Sequence, residues 1–180
     1  FICVSSQTTI SQTWVTTFNG AGNANDEETA ICPDDSGNVY ATGYTFGSNS
    51  NLDITTIKFS PSGQILWSVT FNGNGNGNDR AFGIIIDNDG FIYVAGSSVS
   101  GGNSGEDLVL IKYNPAGTVQ WTRTYGNTTA SSDRALGIVV DNAGGYIYMT
   151  GYTLSVENYD YLTVKYRNDG AFKWAKTYNR

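Results

Sequence analysis

Apolar positions along this chain either alternate with polar ones or form short unbroken runs, and no stretch carries them at the 3.6-residue spacing of an amphipathic helix. The clearest segment reads as four strands in succession. Gly83-Ile84-Ile85-Ile86 is a short apolar run, the signature of a strand covered on both faces. Asp87-Asn88-Asp89-Gly90 follows as a tight turn, with Asn and Asp at its start and glycine supplying positive φ. Phe91 to Gly96 is the second strand and Asp107 to Tyr113 the third, reached through a longer loop. A turn through Asn114-Pro115-Ala116-Gly117 enters the fourth, Val119 to Tyr125. There Trp121, Arg123 and Tyr125 share one face and Thr122 and Thr124 the other, which suits a strand with one wet side.

This unit is repeated. Trp14, Trp67, Trp121 and Trp174 are separated by 53, 54 and 53 residues, and each opens the phrase W-x-x-T-[FY]. Aspartates recur downstream at Asp26, Asp79 and Asp133, then at Asp34, Asp87 and Asp141, with Gly37, Gly90 and Gly144 three further on. A second strand ends in Gly43, Gly96 or Gly151. Asp53, Asp107 and Asp160 precede Lys58, Lys112 and Lys165 by five residues, an aromatic follows each lysine, and Gly63, Gly117 or Gly170 comes four before the next Trp. Length differences fall in the loops after Gly43, Gly96 and Gly151 and in one extra residue near Gly145. A period of this size with this strand content predicts an all-β fold of consecutive four-stranded antiparallel blades of a β-propeller, with a solenoid as the weaker alternative.

The pattern D-x(7)-D-x-x-G-x-[IV]-Y-x-x-G, then D-x(4)-K-[FY]-x(3)-G-x(3)-W, resembles the bacterial SBBP-type β-propeller repeat over residues 13 to 180. The third copy departs from it by the extra residue near Gly145. The resemblance implies an exported or cell-surface bacterial protein, often with adhesion-type modules beside the repeat, and no shared catalytic residues.

The predicted organisation is a leader or signal-peptide remnant over 1–12, an orphan outer strand over 13–20, and blades over 21–73, 74–127 and 128–180. Three blades plus one strand are an incomplete ring, since propellers close with about four to eight blades. The extra outer strand and the fourth strand of the last blade compete for one place. The expectation is therefore either further blades in a longer chain or self-association through open blade edges.

Composition narrows the chemistry. A net charge of −6, with ten basic residues spread along the chain, disfavours a nucleic-acid partner. No apolar run is long enough for a membrane-spanning helix, so membrane insertion is not expected. Histidine is absent, which removes Ser-His-Asp and Cys-His catalysis and His-ligated zinc. Cys32 occupies the column of Ile85 and Val139 and reads as a small apolar residue, while Cys3 lies in the leader.

No catalytic, cofactor-binding or metal-ligating residue is assigned. The recurrent aspartates are expected to cap backbone amides and to pair with Arg80, Arg134 or the repeated lysines. Asp87-Asn88-Asp89-Gly90 lacks the glycine and glutamate positions of a calcium loop, and Asn72 to Asn78 lacks the Lys-Ser/Thr ending of a phosphate loop and reads as a flexible linker. The repeated Trp is expected to pack between blades. The variable loops 44–52, 97–106 and 152–159, with Tyr44, Phe46, Tyr152 and Tyr159, are the candidate face for a glycan or protein ligand. The functional expectation is a non-catalytic secreted or surface scaffold for adhesion or binding. The alternatives are a hydrolase or lyase with an acidic central funnel, and a structural module assembling through its edges.

Overall fold

A computed structural model describes residues 12–47, 51–99, 105–126, 132–154 and 158–179. Its regular structure is entirely β: three four-stranded antiparallel sheets, each a simple meander. Sheet 1 comprises β1 (Glu27–Pro33), β2 (Val39–Phe46), β3 (Leu52–Phe59) and β4 (Ile65–Phe71). Sheet 2 comprises β5 (Arg80–Ile86), β6 (Ile92–Val99), β7 (Glu106–Tyr113) and β8 (Val119–Tyr125). Sheet 3 comprises β9 (Arg134–Asp141), β10 (Tyr146–Leu154), β11 (Tyr159–Arg167) and β12 (Phe172–Tyr178).

The sheets stack face to face, and β5 packs against both β1 and β9. Strand alternation divides sheet 2 between two cores. Ile92, Val94, Val109, Ile111 and Tyr113 turn towards sheet 1 and meet Tyr40 and Ile54. Tyr93, Ala95, Leu108 and Leu110 turn the other way and meet Ile147, Met149, Leu162 and Val164 of sheet 3. Each sheet thus has a leading face, towards the N-terminal side, and a trailing face, towards the sheet that follows.

The first strands are buried on both sides only in the middle sheet. Ile31 of β1 is 62% exposed and Val139 of β9 is 59% exposed, whereas Ile84, in the column of Ile31, is 7% exposed. The sequence pattern is the same in all three strands; the difference is that the leading face of sheet 1 is covered only in part, and that no described residue covers Val139 on the trailing face of sheet 3.

The second strands do not end at Gly43, Gly96 and Gly151, as the sequence suggests, but run on to Phe46, Val99 and Leu154. These glycines lie opposite bulges in the neighbouring first strands. A Cβ at Gly96 would collide with the Arg80 carbonyl oxygen, and Gly43 and Gly151 face the Glu27 and Arg134 carbonyls in the same way. The repeated glycine therefore admits close backbone approach inside a strand. In the third unit the extra residue moves the positive-φ position to Gly145 (φ 66°), in place of Gly144.

Residues 13–20, expected as an outer strand, form no ladder. They nevertheless cover part of the leading face of sheet 1, where Trp14 stacks on Phe59 at 5.9 Å and Phe18 joins the Ala41–Ile57–Phe59 cluster. Thr16 Oγ1 donates to the Gly63 carbonyl at 2.6 Å.

Candidate functional site

Five of the repeated aspartates, Asp26, Asp34, Asp79, Asp87 and Asp141, accept backbone amides. Asp26 accepts from the Gly20 and Phe46 amides, and Asp79 from the matching Gly73 and Val99 amides at 2.5 and 3.2 Å. Each ties the end of one unit to the second strand of the next. The backbone repeats the stitch, with the Asp79 and Asp133 amides donating to the Leu52 and Glu106 carbonyls. Burial pushes the Asp79 carboxyl up against the opposing effect of these donors, and burial followed by the charge of Asp79 pushes Asp53 up.

The turn aspartates act locally. Asp87 Oδ1 accepts from the Asp89 and Phe91 amides and Oδ2 from the Tyr93 hydroxyl, so its lone pairs serve a hairpin turn. Asp34 repeats this with Ser36, Asn38 and Tyr40. The Gly/Asn-rich segment expected as a flexible linker is an ordered turn, with Asn76 at φ 52° and Asn72 Nδ2 donating to Asn76 Oδ1; Asn19 and Asn23 repeat it. Cys32 packs partly buried against the core between sheets 1 and 2, and burial raises its thiol. Cys3 lies outside the described residues.

Trp14, Trp67 and Trp121 of the Trp column pack between units, whereas Trp174 is 36% exposed. Trp67 lies 5.8 Å from Tyr40 and 6.5 Å from Tyr113 of sheet 2, and its Nε1 donates to the Pro115 carbonyl. A Cβ on Gly117 would come within 2.9 Å of the Trp67 ring, and one on Gly63 within 2.6 Å of Trp14.

What is not repeated sits where the first strands begin. One column holds Glu27, Arg80 and Arg134, the residues after the recurrent aspartates, so three neighbouring strands present one acid and two bases side by side. Tyr44 donates its hydroxyl to Glu27 Oε2, and this bond raises the Tyr44 pKa. The Arg80 guanidinium lies 5.7 Å from the Tyr44 ring centroid and donates to Glu106 Oε1 at 2.9 Å. Glu106 Oε2 accepts from Arg134 Nε, which holds Arg134 more firmly charged, and Arg134 also bonds the Tyr152 hydroxyl. Tyr152 meets Tyr159 edge to face at 4.8 Å. The result is an unbroken ridge of seven side chains across all three sheets: Glu27, Tyr44, Arg80, Glu106, Arg134, Tyr152 and Tyr159.

Three of the four aromatics singled out in the loops, Tyr44, Tyr152 and Tyr159, belong to this ridge. Phe46 instead lines an open cleft beside it with Phe18, Leu52, Glu27 and Tyr44. A narrower cleft of about 210 Å³ lies between residues 17–18 and sheet 1, with Glu27, Glu28, Tyr44 and Thr55 among its walls. Of the pairings expected for the aspartates, Lys58 Nζ lies 4.0 Å from Asp34 Oδ2, while Arg80 and Arg134 form ion pairs with a glutamate outside the aspartate columns. Both close on Glu106, which sequence reasoning missed because the sequence puts it at the end of the variable loop 97–106, whereas it opens β7, and because its column holds Leu52 and Tyr159 in the other units. The signal that was available is the charge-bearing column Glu27/Arg80/Arg134. Residues 48–50, 100–104 and 155–157 of these loops lie outside the described residues.

No protein-family model and no curated protein matches the chain. Among solved structures it is similar to the tail fiber of Staphylococcus aureus phage P68, with 15% identity and a TM-score of 0.30. That match covers 86% of this chain, which spans 40% of the length of the tail-fiber chain. A likeness of that order carries neither fold nor function to this protein.

Proposed function

We propose that this chain is a run of β-propeller blades that serves as a non-catalytic, exported binding scaffold of SBBP-repeat type, with a glycan as its ligand. The observation that carries the binding role is the ridge. It is a part of the described structure where a repeat column changes sign, from Glu27 to Arg80 and Arg134, and it sets exposed tyrosine surface beside an ordered row of carboxylate and guanidinium groups. Tyr159 is 63% exposed, so its ring is open to stack on an apolar sugar face, while Arg134 and Glu106 are held in place to bond hydroxyls. Prior ordering lowers the entropy cost of capture.

The propeller reading is supported by the sheet meander, the side-by-side first strands and the directional packing of each trailing face on the next leading face. Against the hydrolase or lyase alternative, the coupled pair Asp53/Asp79 recurs in sequence as Asp107/Asp133, and Asp79 accepts backbone amides. Carboxylates that recur in each unit, and that accept matching backbone amides at Asp26 and Asp79, serve as stitches. A glycan array followed by calorimetry tests the reading. Binding that weakens at least tenfold in Tyr159→Ala and Arg134→Ala supports it. Binding unchanged in both variants, or a blank array, contradicts it.

A further inference from the structure

The turns before β1 and β5 contain four Asn-Gly pairs, Asn19-Gly20, Asn72-Gly73, Asn74-Gly75 and Asn76-Gly77. Such a pair carries both partners of a ring closure: a side-chain amide carbon and, on the next residue, a backbone nitrogen that no side chain shields. All four asparagines are exposed, so access to water does not distinguish them. The attacking nitrogens do. The Gly20 amide donates to Asp26 Oδ2 at 2.7 Å and the Gly73 amide to Asp79 Oδ2 at 2.5 Å. The Gly75 amide donates to the Val99 carbonyl at 3.1 Å. The Gly77 amide has no hydrogen-bond partner among the described residues.

The Asn76 side chain is also set for attack. Asn72 Nδ2 donates to Asn76 Oδ1 at 2.8 Å, on the atom where negative charge develops when Cγ is attacked. Unit 1 builds the same turn and changes one part of it. Asn23 holds φ 49° where Asn76 holds φ 52°, and it takes the same bond from Asn19 Nδ2, but Ala24 stands where unit 2 has Gly77. The Ala24 side chain shields the nitrogen that would attack.

We propose that Asn76 is a self-modifying site, deamidated by the Gly77 backbone nitrogen in preference to the other three pairs. The Gly77 N–H gives its proton to water and the nitrogen bonds to Asn76 Cγ. The Cγ–Nδ2 bond breaks, and Nδ2 takes up a proton from water and leaves as ammonia. Water then opens the five-membered imide. Breaking the new bond to Cγ leaves aspartate at position 76. Breaking the bond to the Asn76 main-chain carbonyl leaves isoaspartate, whose main chain runs through Cβ and Cγ. No electron is transferred, and water is the co-reactant. Isoaspartate lengthens the main chain by one carbon beside two contacts between units. Asn51 Nδ2 donates to the Gly77 carbonyl at 2.9 Å, and the Leu52 amide donates to Asn78 Oδ1 at 3.0 Å. The modification therefore loosens the junction between sheets 1 and 2.

The test is peptide mapping by mass spectrometry of the full chain aged in mildly alkaline buffer, folded and in urea, with isoaspartate counted by enzymatic methylation. A hydrogen bond on the attacking amide must break first, which slows attack about five- to tenfold. In the folded chain Asn76 converts at least that much faster than Asn19, Asn72 or Asn74, and in urea the four rates come together. Gly77→Ala, which copies unit 1, brings conversion at Asn76 down to that at Asn23. Its Cβ would meet Val99 at 2.7 Å, so the same change is also made with Val99→Ala to give it room. Equal rates at the four pairs in the folded chain overturn the proposal, as does a preference for Asn76 that persists in urea. The isoaspartate fraction unfolds at lower urea than the fresh chain. Asn76→Asp, which keeps the main-chain length and the acceptor for Asn72, holds the fresh midpoint. An unchanged midpoint in the isoaspartate fraction contradicts the link to the junction.

Discussion

Replacing Asp79 by alanine is the sharpest test of the stitch between units. Asp79 is fully buried and accepts two backbone amides, from Gly73 at 2.5 Å and Val99 at 3.2 Å. Alanine leaves both donors in the interior without a partner, and a buried unsatisfied group costs about 1–3 kcal/mol. The expected loss is about 3–4 kcal/mol, reduced from the sum because burial already disfavours the ionised carboxylate. Asp26 makes the matching bonds but is only half-buried. Water can replace it, so Asp26→Ala should cost about 1–2 kcal/mol. Urea unfolding at neutral pH measures both, read as a change in midpoint at constant slope. A loss from Asp26→Ala equal to or larger than that from Asp79→Ala refutes the reasoning. The pH dependence adds a sign. The Asp79 carboxyl is raised in the folded chain, so the native state holds its proton more tightly, and this group's contribution to stability falls as pH rises through the window just above the ordinary carboxylate range. Asp79→Asn abolishes that component of the slope.

Three further outcomes follow from packing and charge. Trp67→Ala should cost about 3–5 kcal/mol in thermal or urea unfolding, because it empties the core between sheets 1 and 2, while Trp174→Ala, at a side chain 36% exposed, should cost about 1 kcal/mol. Gly96→Ala should destabilise by more than 3 kcal/mol, well beyond the roughly 1 kcal/mol scale of glycine propensity, because its Cβ meets the Arg80 carbonyl; hydrogen exchange should show the loss concentrated in β5 and β6. Glu106→Gln should cost only about 1 kcal/mol in stability, since its arginine partners are partly exposed, but should loosen Arg134 and weaken ligand capture, seen by calorimetry.

The sheet plan was legible because its determinants are local. Asp87 and Gly90 define a hairpin turn, and Trp121-x-Arg123-x-Tyr125 alternates as a half-covered strand. Strand extents were misjudged at Gly96, since a glycine that admits a neighbouring carbonyl looks in sequence like a glycine that ends a strand. The uneven burial of Ile31, Ile84 and Ile138 was not legible, because one column holds one residue type while its environment depends on which sheet lies opposite. The ridge was half-visible. Tyr44, Tyr152 and Tyr159 stood out as loop aromatics, but Glu106 joins Arg80 to Arg134 through a contact between sheets that no spacing along the chain encodes.

In the proposed propeller each sequence unit is one sheet and the sheets fan out from adjoining first strands. Two distances in a chain with Cys3 and Cys32 replaced test it directly by spin-label spectroscopy. One label pair sits at Thr29 and Leu136, which share a column on β1 and β9, and the other at Leu66 and Lys173, which share a column on β4 and β12. A fan predicts an inner distance clearly shorter than the outer one. Equal distances, as in a flat stack, would contradict it.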